Sequence, residues 1–214
     1  VEPLTGSIGA EISGVDLRDL DEAAFAEIRH AWLAHKVLFF RDQPLTQAEH
    51  VAYGRLFGDL EVHPFIPDAT GHPEIIVLES TAEKFSAAEA WHTDVTFVDA
   101  FPKISILRGV SIPAYGGDTV WANTVAAYEG LTPELKQLAE KLWAVHSNDY
   151  DYGATREQVE DHRLRHHQNV FVSAVFEAEH PLVHVHPVSG ERALLLGHFI
   201  KRIVGLSGTE SARI

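Results

Sequence analysis

His92 and Asp94 stand two residues apart in the string Trp91-His92-Thr93-Asp94. In a β-strand, side chains at that spacing share a face, so an imidazole and a carboxylate would converge on one point. One histidine, one carboxylate and a further histidine on one side of a metal make the facial triad of non-haem Fe(II) oxygenases, whose opposite side stays open. A bare His-x-Asp is also ordinary strand polarity, so its setting matters. Trp91 before the pair and Val95-Thr96-Phe97 after it form an apolar collar of the kind that restricts water around a reactive iron. A rival pair, His184-Val185-His186, has the same spacing and could hold Zn or Fe in a cupin-like barrel. No nearby carboxylate completes its ligand set, and the plainer reading places it beside a turn, with His186 hydrogen-bonded near Pro187. His166 and His167 sit in a polar segment and read as solvated surface.

The elements around these residues are short. Residues 4–17 read as short strands and turns broken by Gly6, Gly9 and Gly14. Asp19 to Ala34 has the helical apolar spacing Phe25, Ile28, Trp32 and Leu33. Lys36 to Arg41 reads as a buried strand, and Thr46 to Phe57 as a helix opened by a Thr46–Glu49 capping box and stopped by Gly58. Strands are expected at Glu74–Glu79, 92–97, 103–112, 118–122 and 143–147, with a helix from Pro133 to Lys141. Leu182–His186 and Arg192–Phe199 form a hairpin around Ser189-Gly190. Gly116-Gly117-Asp118-Thr119 is a glycine-rich turn feeding a strand, in which Thr119 offers a hydroxyl to a carboxylate. The polar stretches 80–90 and 155–168 are candidate lids. This pattern predicts one domain over residues 1–214, mainly β with helical insertions, built as a jelly roll.

Composition narrows the partners. The net charge of −14 and the lack of a basic stripe argue against nucleic acid. No apolar run is long enough to span a bilayer, and no signal peptide is visible. Cysteine is absent, so disulfides and thiolate metal sites are excluded, which suits a cytoplasmic protein.

Four strings stand in register: Trp91 to Phe97; Gly116 to Trp121; His180-Pro181-Leu182-Val183 with His186-Pro187-Val188-Ser189-Gly190; and Ile203-Val204-Gly205-Leu206-Ser207. Together they resemble the taurine dioxygenase (TauD/TfdA) family. The resemblance implies a double-stranded β-helix, ferrous iron, 2-oxoglutarate and O2 as co-substrates, and a homo-oligomer. By position, His92 and Asp94 match iron ligands, and Thr119 matches the residue that binds the 2-oxoglutarate carboxylate. His63 matches a histidine that binds the substrate's sulfo group, while Val95, Tyr152 and Phe199 match positions lining the substrate pocket. The implied reaction hydroxylates the carbon next to a sulfo group and releases an aldehyde with sulfite or sulfate, beside succinate and CO2.

Departures from the family pattern point to the substrate. Ile66 stands where taurine enzymes carry a tyrosine, and Ala88 where they carry an asparagine. A pocket made more apolar suits an alkyl chain better than taurine's ammonium. The run Leu142 to Asn148 with Tyr150-Asp151-Tyr152 resembles the alkylsulfatase branch. The expected substrate is therefore an alkyl sulfonate or sulfate ester. The family's third iron histidine and its 2-oxoglutarate-clamping arginine have no match here, and the jelly roll is expected to be incomplete at its C-terminal end. Two other classes remain open, a cupin-like metalloenzyme using His184 and His186 and an inactive binding relative.

Overall fold

A computed structural model of the chain describes residues 1–62, 71–79, 90–149 and 175–214. These form two compact units, Val1–Val77 with Ile106–Ala126, and Leu78–Ser105 with Ala127–Ile214.

In the first unit, β1 (Glu2–Pro3), β2 (Ala10–Ile12) and β3 (Leu38–Phe40) form an open sheet in which β2 and β3 run parallel. Helix α1 (Glu22–His35) connects them. It starts later than its periodicity suggests because Asp21, not Asp19, is the cap and accepts from the Ala24 amide at 2.7 Å. Helix α2 (Gln47–Arg55) has the expected capping box, with Thr46 and Glu49 satisfying each other's amides. Ile28 of α1 and Tyr53 of α2 meet Leu17 and Leu45 in a core that Phe40, Phe57 and Ile106 close. Phe57 packs edge-on to both Phe25 and Tyr53, at 5.1 and 5.4 Å between ring centres.

Helix α3 (Thr124–Glu129) lies across the division between the units. In the second unit, α4 (Pro133–Ala139), capped by Thr132, leads into β4 (Trp143–Ser147). This strand is the centre of an antiparallel sheet flanked by β5 (Glu177–Pro181) and β8 (Ile200–Ile203). β6 (Val183–Val185) and β7 (Arg192–Leu194) make the expected hairpin, its turn closed by Gly190 at φ 73°. Ala144, Leu182 and Ile203 form the core, and α5 (Gly208–Ser211) follows behind a Ser207–Glu210 capping box.

The jelly roll is not what these residues build. The fold is mixed, with sheets of three, three and two strands among the described residues, all open and none closed into a barrel. Residues 74–79, 103–112 and 118–122, which the sequence marks as strands, enter no ladder. They are rich in residues that favour strands, yet a strand needs a neighbour for its amides and carbonyls. Leu107, Val110 and Ile112 point largely to solvent instead. No helix among the described residues is long and apolar enough to cross a membrane.

Candidate metal centre

Residues 94–97 form a turn, not the strand that the His-x-Asp spacing suggested. The convergence of the two side chains survives by a different route. Val95 sits at φ 55°, a left-handed conformation costly for a β-branched residue, and the chain reverses there, the Val98 amide donating to the Val95 carbonyl. This brings Nε2 of His92 within 3.2 Å of Oδ1 of Asp94.

Hydrogen bonds fix the chemistry of both groups. The Ala90 carbonyl can only accept, so Nδ1 of His92 must donate to it, at 2.8 Å. In the neutral ring the lone pair is then on Nε2, facing the carboxylate. Ser105 donates its hydroxyl to the other oxygen, Oδ2, at 2.6 Å. Two lone-pair donors facing each other is unfavourable unless a cation or proton lies between them. Adjacent ligands of an octahedral ion, each about 2.1 Å from the metal, sit roughly 3 Å apart. The pair fits a divalent ion, with Ala90 and Ser105 as the outer groups that orient its ligands. Among the described residues no third His, Cys, Asp or Glu joins them.

Behind the pair, the His198 amide donates to the Trp91 carbonyl at 2.9 Å. Gly197 lies so close that an added Cβ would stand 3.1 Å from the Trp91 carbonyl oxygen and 3.2 Å from Cα of His92. Phe199 packs edge-on to His92 and to buried Phe97, at 6.0 and 5.1 Å. Of the expected collar, Thr96 and Phe97 are buried, whereas Trp91 is exposed.

Thr96 is held from two strands. Nδ1 of His146, on β4, pairs with its hydroxyl at 2.9 Å, and Nε2 of His180, on β5, donates to its carbonyl at 2.9 Å and to that of Val98 at 3.1 Å. Nε2 of His146 is buried and, among the described residues, has no hydrogen-bond partner, at a cost of about 1–3 kcal/mol. Burial, helped by neighbouring His180, pushes the His146 pKa down to about 4. The unfolded chain therefore takes up this proton first. Stability is expected to fall as pH drops from about 6.5 towards 4, by up to roughly 3 kcal/mol from this residue. Urea unfolding of the parent and of His146→Gln at pH 7 and 4.5 checks this; equal losses in both would refute the assignment.

The other candidates are distributed as follows. Thr119 lies in the first unit, exposed, after Gly116 and Gly117, whose φ values of 78° and 70° make the predicted turn. Val95 and Phe199 are with His92 and Asp94 in the second unit. His63, Ile66, Ala88 and Tyr152, the proposed lid at 155–168 and all but Ala90 of the proposed lid at 80–90 lie outside the described residues. His184 packs against Phe101, while Nδ1 of His186 accepts from the Ser189 amide at 3.1 Å. His186 thus serves its turn, and the cupin-like pair gathers no further ligand among the described residues.

A His-x-Asp pair with an outward lone pair, an oriented carboxylate and an adjoining apolar wall belongs to the mononuclear non-haem metal class. The profile of the taurine catabolism dioxygenase TauD, TfdA family matches residues 1–214, and the chain belongs to that family of Fe(II)- and 2-oxoglutarate-dependent dioxygenases. It is 50% identical over 216 residues to an alpha-ketoglutarate-dependent sulfate ester dioxygenase of Pseudomonas putida, covering all of this chain and 71% of that protein. It is 54% identical over 210 residues to an alkylsulfatase of Acinetobacter baylyi, covering 97% of this chain and 66% of the relative. A crystal structure of a taurine dioxygenase from Burkholderia xenovorans superposes with a TM-score of 0.78 at 39% identity, covering 99% of this chain and 69% of that one.

Proposed function

We propose that the protein is an Fe(II)- and 2-oxoglutarate-dependent dioxygenase acting on an alkyl sulfate ester or sulfonate. The single observation that carries the metal reading is the convergence of His92 Nε2 and Asp94 Oδ1, 3.2 Å apart, with the Ala90 carbonyl on the other nitrogen of the ring. The substrate reading draws on the two relatives, a sulfate ester dioxygenase and an alkylsulfatase, and on Ile66 and Ala88 in place of polar residues.

His92 and Asp94 hold the iron through Nε2 and a carboxylate oxygen, and Ser105 keeps that carboxylate turned towards it. Thr119 binds a carboxylate of 2-oxoglutarate. When bound, iron and 2-oxoglutarate supply the oxidising power, consuming O2 and yielding succinate and CO2. His63 binds the sulfo group, and Val95, Tyr152 and Phe199 line the alkyl chain's path. So held, the carbon next to the sulfo group would be the C–H presented for oxidation. Its hydroxylation gives a product that collapses to an aldehyde and sulfate, or sulfite from a sulfonate. Phe97 and Phe199 keep water from the His92 side. The protein works as a cytoplasmic homo-oligomer, a single catalytic domain over residues 1–214.

Turnover of a medium-chain alkyl sulfate against taurine tests the substrate. The expected ratio of kcat/KM is roughly 100-fold or more in favour of the sulfate ester, because an apolar pocket offers taurine's ammonium no partner. A preference for taurine would overturn the assignment.

A further inference from the structure

We infer that Thr96 is a positioning residue, clamped by His146 and His180 so that the strained turn at Val95 keeps Asp94 aimed at His92. The inference rests on the metal reading of that pair.

Val95 lies between a ligand and the clamp. A β-branched residue relaxes out of the left-handed region unless its neighbours are over-determined. On the N-terminal side, the Trp91 carbonyl is tied to the His198 amide. On the C-terminal side, Thr96 is gripped at both its hydroxyl and its carbonyl, and the second bond of His180 reaches Val98. Both histidines come from adjacent strands in fixed register, His146 opposite Ala178 and Ala144 opposite His180. Phe101 further packs on His180 at 5.1 Å, so that ring has little freedom. The turn is therefore pinned at both ends, and the left-handed residue between them takes up the reversal.

The cluster does not look like an arrangement chosen for stability. Among the described residues, Nε2 of His146 has no partner, in a space lined by Thr93, Leu195, Gly197 and Phe199 that does not admit a water-sized sphere. An apolar pair of similar shape at 96 and 146 would avoid that cost. What such a pair could not supply is a directional hold on the residue two places beyond the carboxylate.

The experiment separates stability from aim. Co(II) affinity is titrated spectroscopically, and urea unfolding measured, in the parent, Asp94→Ala, Thr96→Ser, the double variant Thr96→Val/His146→Leu, and that double variant with Val95→Gly. The double variant is expected to unfold at the same or higher urea concentration yet to bind Co(II) about tenfold more weakly. Thr96→Ser, which keeps the hydroxyl, is expected to match the parent. Val95→Gly is expected to recover most of the lost affinity, since glycine adopts the left-handed conformation without strain. Parent-like Co(II) affinity in the double variant would overturn the clamp while leaving the metal pair standing, as would a loss that Val95→Gly does not restore. If Asp94→Ala binds Co(II) as the parent does, the metal reading fails and the clamp with it. If the double variant does not fold, Thr96→Val alone decides: lost affinity supports the clamp, and unchanged affinity overturns it.

Discussion

Asp94→Ala is expected to remove divalent-metal binding, by more than about 100-fold in affinity, and with it all coupled O2 consumption and succinate formation. Loss of an outer group that orients a ligand typically costs about 10–100-fold, so loss of the ligand itself should exceed that. The fold should survive. The Asp94 side chain is 49% exposed and, among the described residues, meets the His92 ring and the Ser105 hydroxyl, so no core is disturbed. Unfolding in the absence of metal should therefore move by no more than about 0.5 kcal/mol, the range of ordinary surface substitutions. Co(II) titration and urea unfolding on the same samples check both halves. A parent-like Co(II) affinity in this variant would refute the assignment of the pair.

Gly197→Ala is expected to weaken the site as well, although less than loss of Asp94 and although the residue carries no chemistry. Its added Cβ would stand 3.1 and 3.2 Å from main-chain atoms of Trp91 and His92, neither of which can swing aside as a side-chain tip could. The backbone carrying His92 must move by a few tenths of an ångström, away from Asp94 or from the Ala90 carbonyl that fixes its ring. Overpacking of this kind costs about 1–3 kcal/mol. Metal affinity should drop roughly tenfold, because the misplacement acts on a ligand's orientation. Equal stability and equal Co(II) affinity in parent and variant would show that the loop yields freely.

The sequence singled out the pair and concealed its geometry. His92 and Asp94 were legible because two donors at short spacing, with motifs in register around them, leave few alternatives. The same spacing suggested a strand, where the chain makes a turn instead, since Val95 accepts a left-handed conformation that its side chain disfavours. Local preference was overridden by the Thr96 anchor, whose partners lie 50 and 84 residues away. Ser105 and Gly197 were missed for a related reason, as nothing in their neighbouring sequence signals a carboxylate or a histidine main chain. The helix cap at Thr46 was read well, because hydroxyl and carboxylate lie within one turn. The jelly roll failed at the opposite extreme. Residues 103–112 carry a strand's composition, but composition does not say which neighbour completes a ladder.

The conformation of Val95 has a practical consequence for anyone redesigning what the protein accepts. On the proposed function, a library at residue 95 would ordinarily be read as a survey of side-chain size beside the substrate. Here each substitution also resets how readily the backbone turns beside Asp94, and glycine, one codon base from valine, does both at once. Variants selected for new substrates at this position will therefore carry altered iron retention as a companion trait. The two are separable only if metal loading is measured for every hit.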